Sequence, residues 1–303
     1  METVSRTAVA GGPIHFLDFG GQGPPIVLVH GLGGSATNWL SVGPRLSSLG
    51  RTMAIDLVGF GRTPPEGRGA NLSANRELVH AFLTKVVGEP AVLIGNSMGG
   101  AIALMEAAAA PAAVSRLVLV AAAQPAPRGT SIDREVFAVF AMYSLPWVGE
   151  WYMRRRAARL GAEGLVREMM ALCCADPAGV DPVVKQAHVD AAAERLARMP
   201  WAHSVFLAAA RSVVGSLRQR RKWDAMAASV AAPTLLVHGT HDRLVPLAAS
   251  QRLAALRPDW TLEVYPGIGH VPMLEAPDRF VDSLARWLAR PAPAAASPSR
   301  GRS

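Results

Sequence analysis

Ala91-Val92-Leu93-Ile94-Gly95-Asn96-Ser97-Met98-Gly99-Gly100, followed by the alanine-rich stretch Ala101 to Ala110, reads as a strand, a sharp turn and a helix. Ala91 to Ile94 is apolar without alternation, which marks a strand covered on both faces. Ala101 to Ala110 is helix-prone. Between them Gly95-Asn96-Ser97-Met98-Gly99 has the form G-x-S-x-G, in which a serine sits on a strained strand-to-helix turn and its hydroxyl stands clear of the sheet. The adjoining helix N-terminus offers free backbone N–H groups and a positive dipole end, both suited to a developing oxyanion. The pentapeptide alone is common; the strand before it and the helix after it are the context that gives it meaning.

Further apolar strands lie on both sides of this turn: Ile26 to His30, Met53 to Ile55, Leu117 to Val120, Thr234 to Val237 and Leu262 to Tyr265. Helical stretches separate them, which is the pattern of a mostly parallel central sheet flanked by helices, an α/β fold. Two alternating runs, Thr3 to Val9 and Ile14 to Phe19, flank Gly11-Gly12-Pro13 and read as a leading hairpin. From about Gln124 to Asp224 no strand is evident, and the βα rhythm resumes at Pro233. The interruption therefore reads as a helical cap inserted after the sixth strand, over the strand ends where open α/β sheets bind ligands. The expected organisation is a core of residues 1–123 and 226–290, a cap of 124–225 and a disordered Pro/Ala/Ser-rich tail of 291–303.

Composition narrows the function. A chain of 303 residues, 18% of them charged, is long enough to bury a large core. The net charge of +8 comes from dispersed arginines without a helix-turn-helix, zinc-finger or RNP-like signature, so no nucleic-acid partner is expected. Cys173 and Cys174 are adjacent, which suits neither a disulfide framework nor a zinc site. The start of the chain, Met1 to Pro13, lacks the apolar core of a secretory signal, and a cytoplasmic location is expected. The longest charge-free run, between Glu135 and Glu150, contains Pro146 and is too short to span a bilayer.

A serine hydroxyl needs a histidine base, and the base needs a carboxylate to fix its tautomer. His270 follows the strand Leu262 to Tyr265 in Gly267-Ile268-Gly269-His270, and Asp242 follows the strand Thr234 to Val237 in His238-Gly239-Thr240-His241-Asp242. Both leave the carboxyl ends of strands, the edge where Ser97 lies. With Ser97, Asp242 and His270 in that order, the chain resembles the α/β-hydrolase superfamily from Thr3 to Arg290. His30-Gly31-Leu32-Gly33-Gly34 is similar to the family's oxyanion loop, and Asp56-Leu57-Val58-Gly59-Phe60-Gly61 to its D-x-x-G-x-G turn. The resemblance implies an oxyanion hole made by the backbone N–H groups of Leu32 and Met98, and it implies no metal or organic cofactor. His30 is expected to brace the oxyanion loop, Asp56 to stabilise a turn, and His241 to stand outside the chemistry.

A serine nucleophile argues against the aspartate-using haloalkane dehalogenases and epoxide hydrolases, and Met98 against proline iminopeptidases. The expected activity is hydrolysis of a small-molecule carboxylic ester with an apolar acyl group, as in carboxylesterases or monoacylglycerol-lipase-like enzymes. Gly95 to Gly100 also resembles the meta-cleavage-product hydrolases, which break a C–C bond beside a ketone. Those usually carry tryptophan after the histidine, where this chain has Val271. A third reading is a non-catalytic small-molecule receptor of the same fold, which the complete triad disfavours. In the cap, Phe137, Phe140, Tyr143, Trp147, Trp151 and Tyr152 precede Arg154-Arg155-Arg156, a pattern suited either to a lid at a lipid aggregate or to a helix packed on the core with its arginines solvated.

Overall fold

The computed structural model describes residues 3–145 and 147–291. Most of the expected tail therefore lies outside the described residues. The eight expected strands all form: β1 (Val4–Val9), β2 (Pro13–Gly20), β3 (Pro25–Val29), β4 (Arg51–Ile55), β5 (Ala91–Asn96), β6 (Val114–Val120), β7 (Thr234–Gly239) and β8 (Thr261–Tyr265). They make one sheet in the order β1-β2-β4-β3-β5-β6-β7-β8. The β1–β2 and β2–β4 pairs are antiparallel. Every pair from β4 through β8 is parallel.

The central strands divide their side chains between two cores. Val27, Val29, Leu93, Leu117, Leu119 and Leu236 face one layer. Ile26, Leu28, Ile94, Val118, Leu235 and Val237 face the other. All are essentially inaccessible to solvent, and burying a side chain of this size contributes roughly 1.5–3 kcal/mol. Because both faces are covered, apolar residues run without alternation along these strands.

The helices are α1 (Gly43–Leu46), α2 (Leu72–Phe82), α3 (Met98–Ala109), α4 (Arg134–Ser144), α5 (Val148–Cys173), α6 (Pro182–Arg198), α7 (Ala202–Leu217), α8 (Arg220–Ser229), α9 (Leu247–Leu256), α10 (Pro272–Glu275) and α11 (Pro277–Leu288). On one side α2 and α3 pack with Leu78, Val79, Phe82, Ile102 and Leu104. On the other, α11 inserts Phe280, Leu284 and Trp287 at helical spacing.

Five helices, α4 to α8, lie between β6 and β7. Gly161, at φ 61° and ψ −172°, breaks α5 into two segments. The second segment and α6 lean on the second core through Val166, Met170 and Val184. The last of the five, α8, packs against α3 and α9, with Trp223 and Ala227 sunk in the first core. The chain thus rejoins the core's helical layer near Arg220, a full helix before the point at which the strand pattern resumes. Among the described residues no helix is long and apolar enough to cross a membrane.

Candidate active site

Ser97 occupies φ 54°, ψ −117°, between the end of β5 and the first turn of α3. A side chain is rarely held there, and the surrounding packing leaves the backbone no alternative. A Cβ at Gly95 would lie 2.2 Å from the Gly99 carbonyl oxygen, and one at Gly99 would lie 2.3 Å from the Val29 carbonyl oxygen. The Ser97 N–H donates to the Val120 carbonyl at 2.9 Å, and the Ala123 N–H donates to the Ser97 carbonyl at 2.9 Å. The side chain is half-buried and lines the main cavity.

The loop after β3 passes directly over this turn. A Cβ on Gly31 would stand 3.0 Å from the Ser97 Cβ, tight enough that the neighbouring turn would have to give. His30 Nδ1 donates to the Gly31 carbonyl at 2.7 Å, and its Nε2 accepts the Leu57 N–H at 3.1 Å. Those two bonds fix the neutral tautomer, and burial lowers the pKa of the ring. His30 braces the loop, as expected. The N–H groups of Leu32 and Met98 take no backbone carbonyl among the described residues, and both residues line the cavity.

Beyond β8, His270 Nδ1 donates to Asp242 Oδ2 at 2.8 Å. In the neutral ring this leaves Nε2 unprotonated, the form a general base requires. Asp242 Oδ1 accepts the N–H groups of Leu244 and Val245 at 2.8 and 2.9 Å, and His238 Nε2 lies 3.1 Å from Oδ2. Burial pushes this carboxyl's pKa up, but the positive charge of the protonated His270 ring and the hydrogen bonds from His238 and His270 outweigh it and hold the group well below the usual carboxylate range. Ser97 and His270 line the same cavity. His241 does not; it is exposed and reaches only Thr240 Oγ1, at 3.0 Å.

Three supporting residues escaped the sequence reading. Asn96 Nδ2 donates to the carbonyls of Val120 and His270, at 3.2 and 3.1 Å, tying the serine turn to the histidine loop. The His270 N–H donates to the Cys173 carbonyl at 2.7 Å. Glu275 accepts the Gly269 N–H on one oxygen at 2.9 Å and the Ala175 N–H on the other at 2.7 Å, which joins the histidine loop to the end of α5. The only local signal was Asn96 inside the motif; the partners of Cys173 and Glu275 are set by tertiary packing.

A second set of Ser, His and Asp lies at the leading hairpin. Ser5 Oγ is 2.7 Å from His15 Nε2, and His15 Nδ1 donates to Asp56 Oδ2 at 2.6 Å. Asp56 also accepts the N–H groups of Ala36 and Arg62, at 2.7 and 2.8 Å. It holds the turn after β4 against β2 and the loop after β3, the stabilising part expected for it.

The cavity has a volume of about 1490 Å³ and runs from the serine turn under α4 to α7. Its lining is mostly apolar and includes Val136, Phe140, Leu165, Met169, Phe206 and Val213. Polar groups stand among them. Gln124 and the Nε2 of His188 are buried without hydrogen-bond partners, and burial takes the pKa of His188 down to about 4. Arg195 Nη1 donates to the Gly33 carbonyl at 2.8 Å.

Comparisons with known proteins agree with this fold. A family model described as the alpha/beta hydrolase fold matches residues 24–277. The chain is 30% identical to the 2-hydroxy-6-oxo-2,4-heptadienoate hydrolase of Pseudomonas putida strain F1, over 94% of this chain and 96% of that one. It superposes on the 2-hydroxy-6-oxo-6-phenylhexa-2,4-dienoate hydrolase of Rhodococcus sp. strain RHA1 with a TM-score of 0.76 at 23% identity, covering 95% of this chain and 99% of the other. A membrane phospholipase A gives a TM-score of 0.72 at 24% identity, covering 94% and 86%. With the strand order, the serine turn and the family match in agreement, the chain belongs to the α/β-hydrolase fold family and is a hydrolase.

Proposed function

We propose that this hydrolase cleaves carboxylic esters with large apolar acyl groups through an acyl-enzyme on Ser97. The observation that carries the reading is the cavity. At about 1490 Å³ it exceeds the roughly 300–1,000 Å³ of ordinary small-molecule pockets, and its apolar lining leads to Ser97. In this scheme Ser97 Oγ attacks the ester carbonyl carbon while His270 Nε2 takes the hydroxyl proton. The N–H groups of Leu32 and Met98 receive the oxyanion, each contributing about 3 kcal/mol in the transition state. His270 then protonates the departing alkoxide. It next takes a proton from water as that water attacks the acyl carbon, and it returns the proton to Ser97 Oγ as the bond from Oγ to the acyl carbon breaks and the acid leaves. Asp242 holds the imidazole and stabilises its charged form.

The test is a series of neutral esters of rising acyl length run beside a meta-cleavage dienoate. The reading requires kcat/KM to rise with acyl length and an acyl adduct to be trapped on Ser97. Faster turnover of the dienoate than of every ester overturns it.

One observation favours a second reading, C–C hydrolysis. Arg195 lines the cavity beside the oxyanion loop, and among the described residues it has no carboxylate partner. A substrate carboxylate would supply one, and the Pseudomonas putida relative is named for a dienoate, which carries that group. Arg195→Gln separates the readings. It raises KM for the dienoate about tenfold or more if Arg195 holds a carboxylate, and leaves neutral esters within about twofold.

A further inference from the structure

Exposed apolar side chains are concentrated at one corner of the molecule. Of the eleven large apolar residues exposed among the described residues, six fall within twenty positions: Ile132, Phe137, Leu145, Trp147, Val148 and Trp151. Trp147 is 87% exposed and Trp151 is 61% exposed. Tryptophan prefers a boundary with an apolar side and a wet side, and it is seldom left fully in water. Scattered exposed leucines need no explanation, but a cluster containing two tryptophans marks a surface that meets something.

The charge around the corner has one sign. Trp151, Arg155 and Arg159 follow one another at four-residue spacing, so they form one stripe along the first segment of α5, and Trp147, at φ 58° and ψ −40°, stands at its N-cap just before the helix begins. The Arg155 guanidinium lies over the Trp151 ring at 5.8 Å. Arg154, Arg155 and Arg159 are exposed. The carboxylates nearby are each paired with an arginine: Glu150 with Arg154, and Asp133 and Glu135 both with Arg243. Among the described residues neither Arg155 nor Arg159 has an acidic partner. The third arginine of the run turns inward, where Arg156 pairs with Glu168 at 2.6 Å and lines the cavity. The Arg154-Arg155-Arg156 cluster of the sequence is thus divided between surface and interior.

The corner also adjoins the cavity. Ile132 and Phe137 are exposed and line it, so the apolar patch continues into the apolar interior.

We propose that the corner formed by α4 and the start of α5 docks on an anionic lipid surface, with Trp147 and Trp151 entering the headgroup region and Arg155 and Arg159 meeting its negative charge. The wet and apolar sides of such an interface match the two ends of the stripe. Docking there sets the mouth of the cavity against the acyl chains. Only that last consequence rests on the ester reading above; binding to the surface does not.

The test is vesicle cosedimentation of the full chain, read separately from turnover. At low salt the protein is retained on vesicles of phosphatidylcholine with phosphatidylglycerol and about tenfold less on phosphatidylcholine alone. Salt near 0.5 M reduces the difference, because exposed charges are screened over a few ångströms at that strength. Joint replacement Trp147→Ser with Trp151→Ser lowers retention about tenfold. Arg155→Gln with Arg159→Gln removes most of the preference for anionic vesicles. None of these four residues lines the cavity, so hydrolysis of a short soluble ester stays within about twofold and reports that the variants are folded. Retention of the tryptophan variant equal to that of the parent overturns the proposal, as does absence of retention at low salt. So does a dimer that the tryptophan changes convert to monomer, which would make the corner a contact between copies of the chain.

Discussion

Two sets of Ser, His and Asp in this molecule carry the same groups and differ in almost everything else: at the hairpin hydrogen bonds join all three, and at the cavity, among the described residues, they join only His270 and Asp242. At the hairpin, Ser5 lies in an extended edge strand, paired in register with Leu17, and its hydrogen bond to His15 is already made. At the cavity, Ser97 is held at a positive φ at the end of β5, and among the described residues its hydroxyl faces space rather than an acceptor. His15 and Asp56 are closed in by backbone donors that fix a turn. His270 has a cavity before it and an acid behind it. What separates the two sets is thus the backbone under the serine, the N–H groups of Leu32 and Met98 beside it and the apolar space in front of it. The bond from histidine Nδ1 to aspartate Oδ2 is common to both.

The largest expected effect lies at the cavity. Ser97→Ala lowers kcat by a factor on the order of 10⁴ to 10⁶ with the fold retained, and His270→Ala is nearly as damaging because the two act as a unit. Single-turnover assays with an activated ester, run beside circular dichroism, check both. Undiminished turnover in Ser97→Ala would remove the distinction drawn between the two sets.

Asp242→Asn comes next, with a loss on the order of 10³ to 10⁴ in kcat from an imidazole held in the wrong tautomer. It also changes the response to acid. The carboxyl of Asp242 is held below its usual value in the folded protein. Its contribution to stability is therefore fully present above about pH 4, the ordinary carboxyl value, and is lost as pH falls from there toward the lowered one. Urea midpoints measured from pH 7 to pH 2 should fall in the parent over the acid part of that range and be flatter in Asp242→Asn. His241→Ala, one position away and pointing outward, retains most activity.

How much of this was legible follows the same division. The core strands and the three residues of the proposed triad were readable because strand-end placement is local: each follows an apolar run and a short turn. The full lengths of the strands were not. β6 begins at Val114, earlier than its apolar stretch, because its first residues pair with β5, Val114 opposite Ala91 and Arg116 opposite Val92, while the Arg116 side chain reaches out to the carbonyls of Trp287 and Arg290. The supports of His270 were also hidden. The Cys173 carbonyl reaches its loop from the end of α5, far away in sequence, and Glu275, though close to Gly269 in the chain, shows its role only because its other oxygen accepts the Ala175 N–H from that same helix end. The inward turn of Arg156 depends on Glu168, across the break at Gly161 that periodicity did not reveal.

Asp56→Asn tests the hairpin chain through stability. The buried carboxylate satisfies two backbone N–H groups and His15, and loss of such a network costs about 1–3 kcal/mol. For a chain of this length that corresponds to a few degrees in Tm, roughly 2–4 °C per kcal/mol. Turnover per folded molecule should stay within a few-fold. A loss approaching that of Asp242→Asn, with Tm unchanged, would assign Asp56 to the chemistry.

The smallest effect is expected at Ser5, and it tests the comparison most sharply. Ser5 is exposed on the first strand, so Ser5→Ala removes one hydrogen bond that water can replace, a change of at most about 1 kcal/mol. If an assembled Ser–His–Asp chain sufficed for reactivity, Ser5 would be the better-prepared nucleophile of the two, since its bond to His15 is already in place. It lacks what Ser97 has, a strained turn beside a helix N-terminus and a neighbouring loop whose Leu32 N–H takes no backbone carbonyl among the described residues. Treatment with a fluorophosphonate followed by peptide mass spectrometry should place the adduct on Ser97, and the Ser97→Ala protein should remain unlabelled under the same conditions. An adduct on Ser5 in that variant, abolished by His15→Ala, would mean that the hydrogen-bond chain alone activates a serine and that backbone strain and oxyanion donors are not what set these two sites apart.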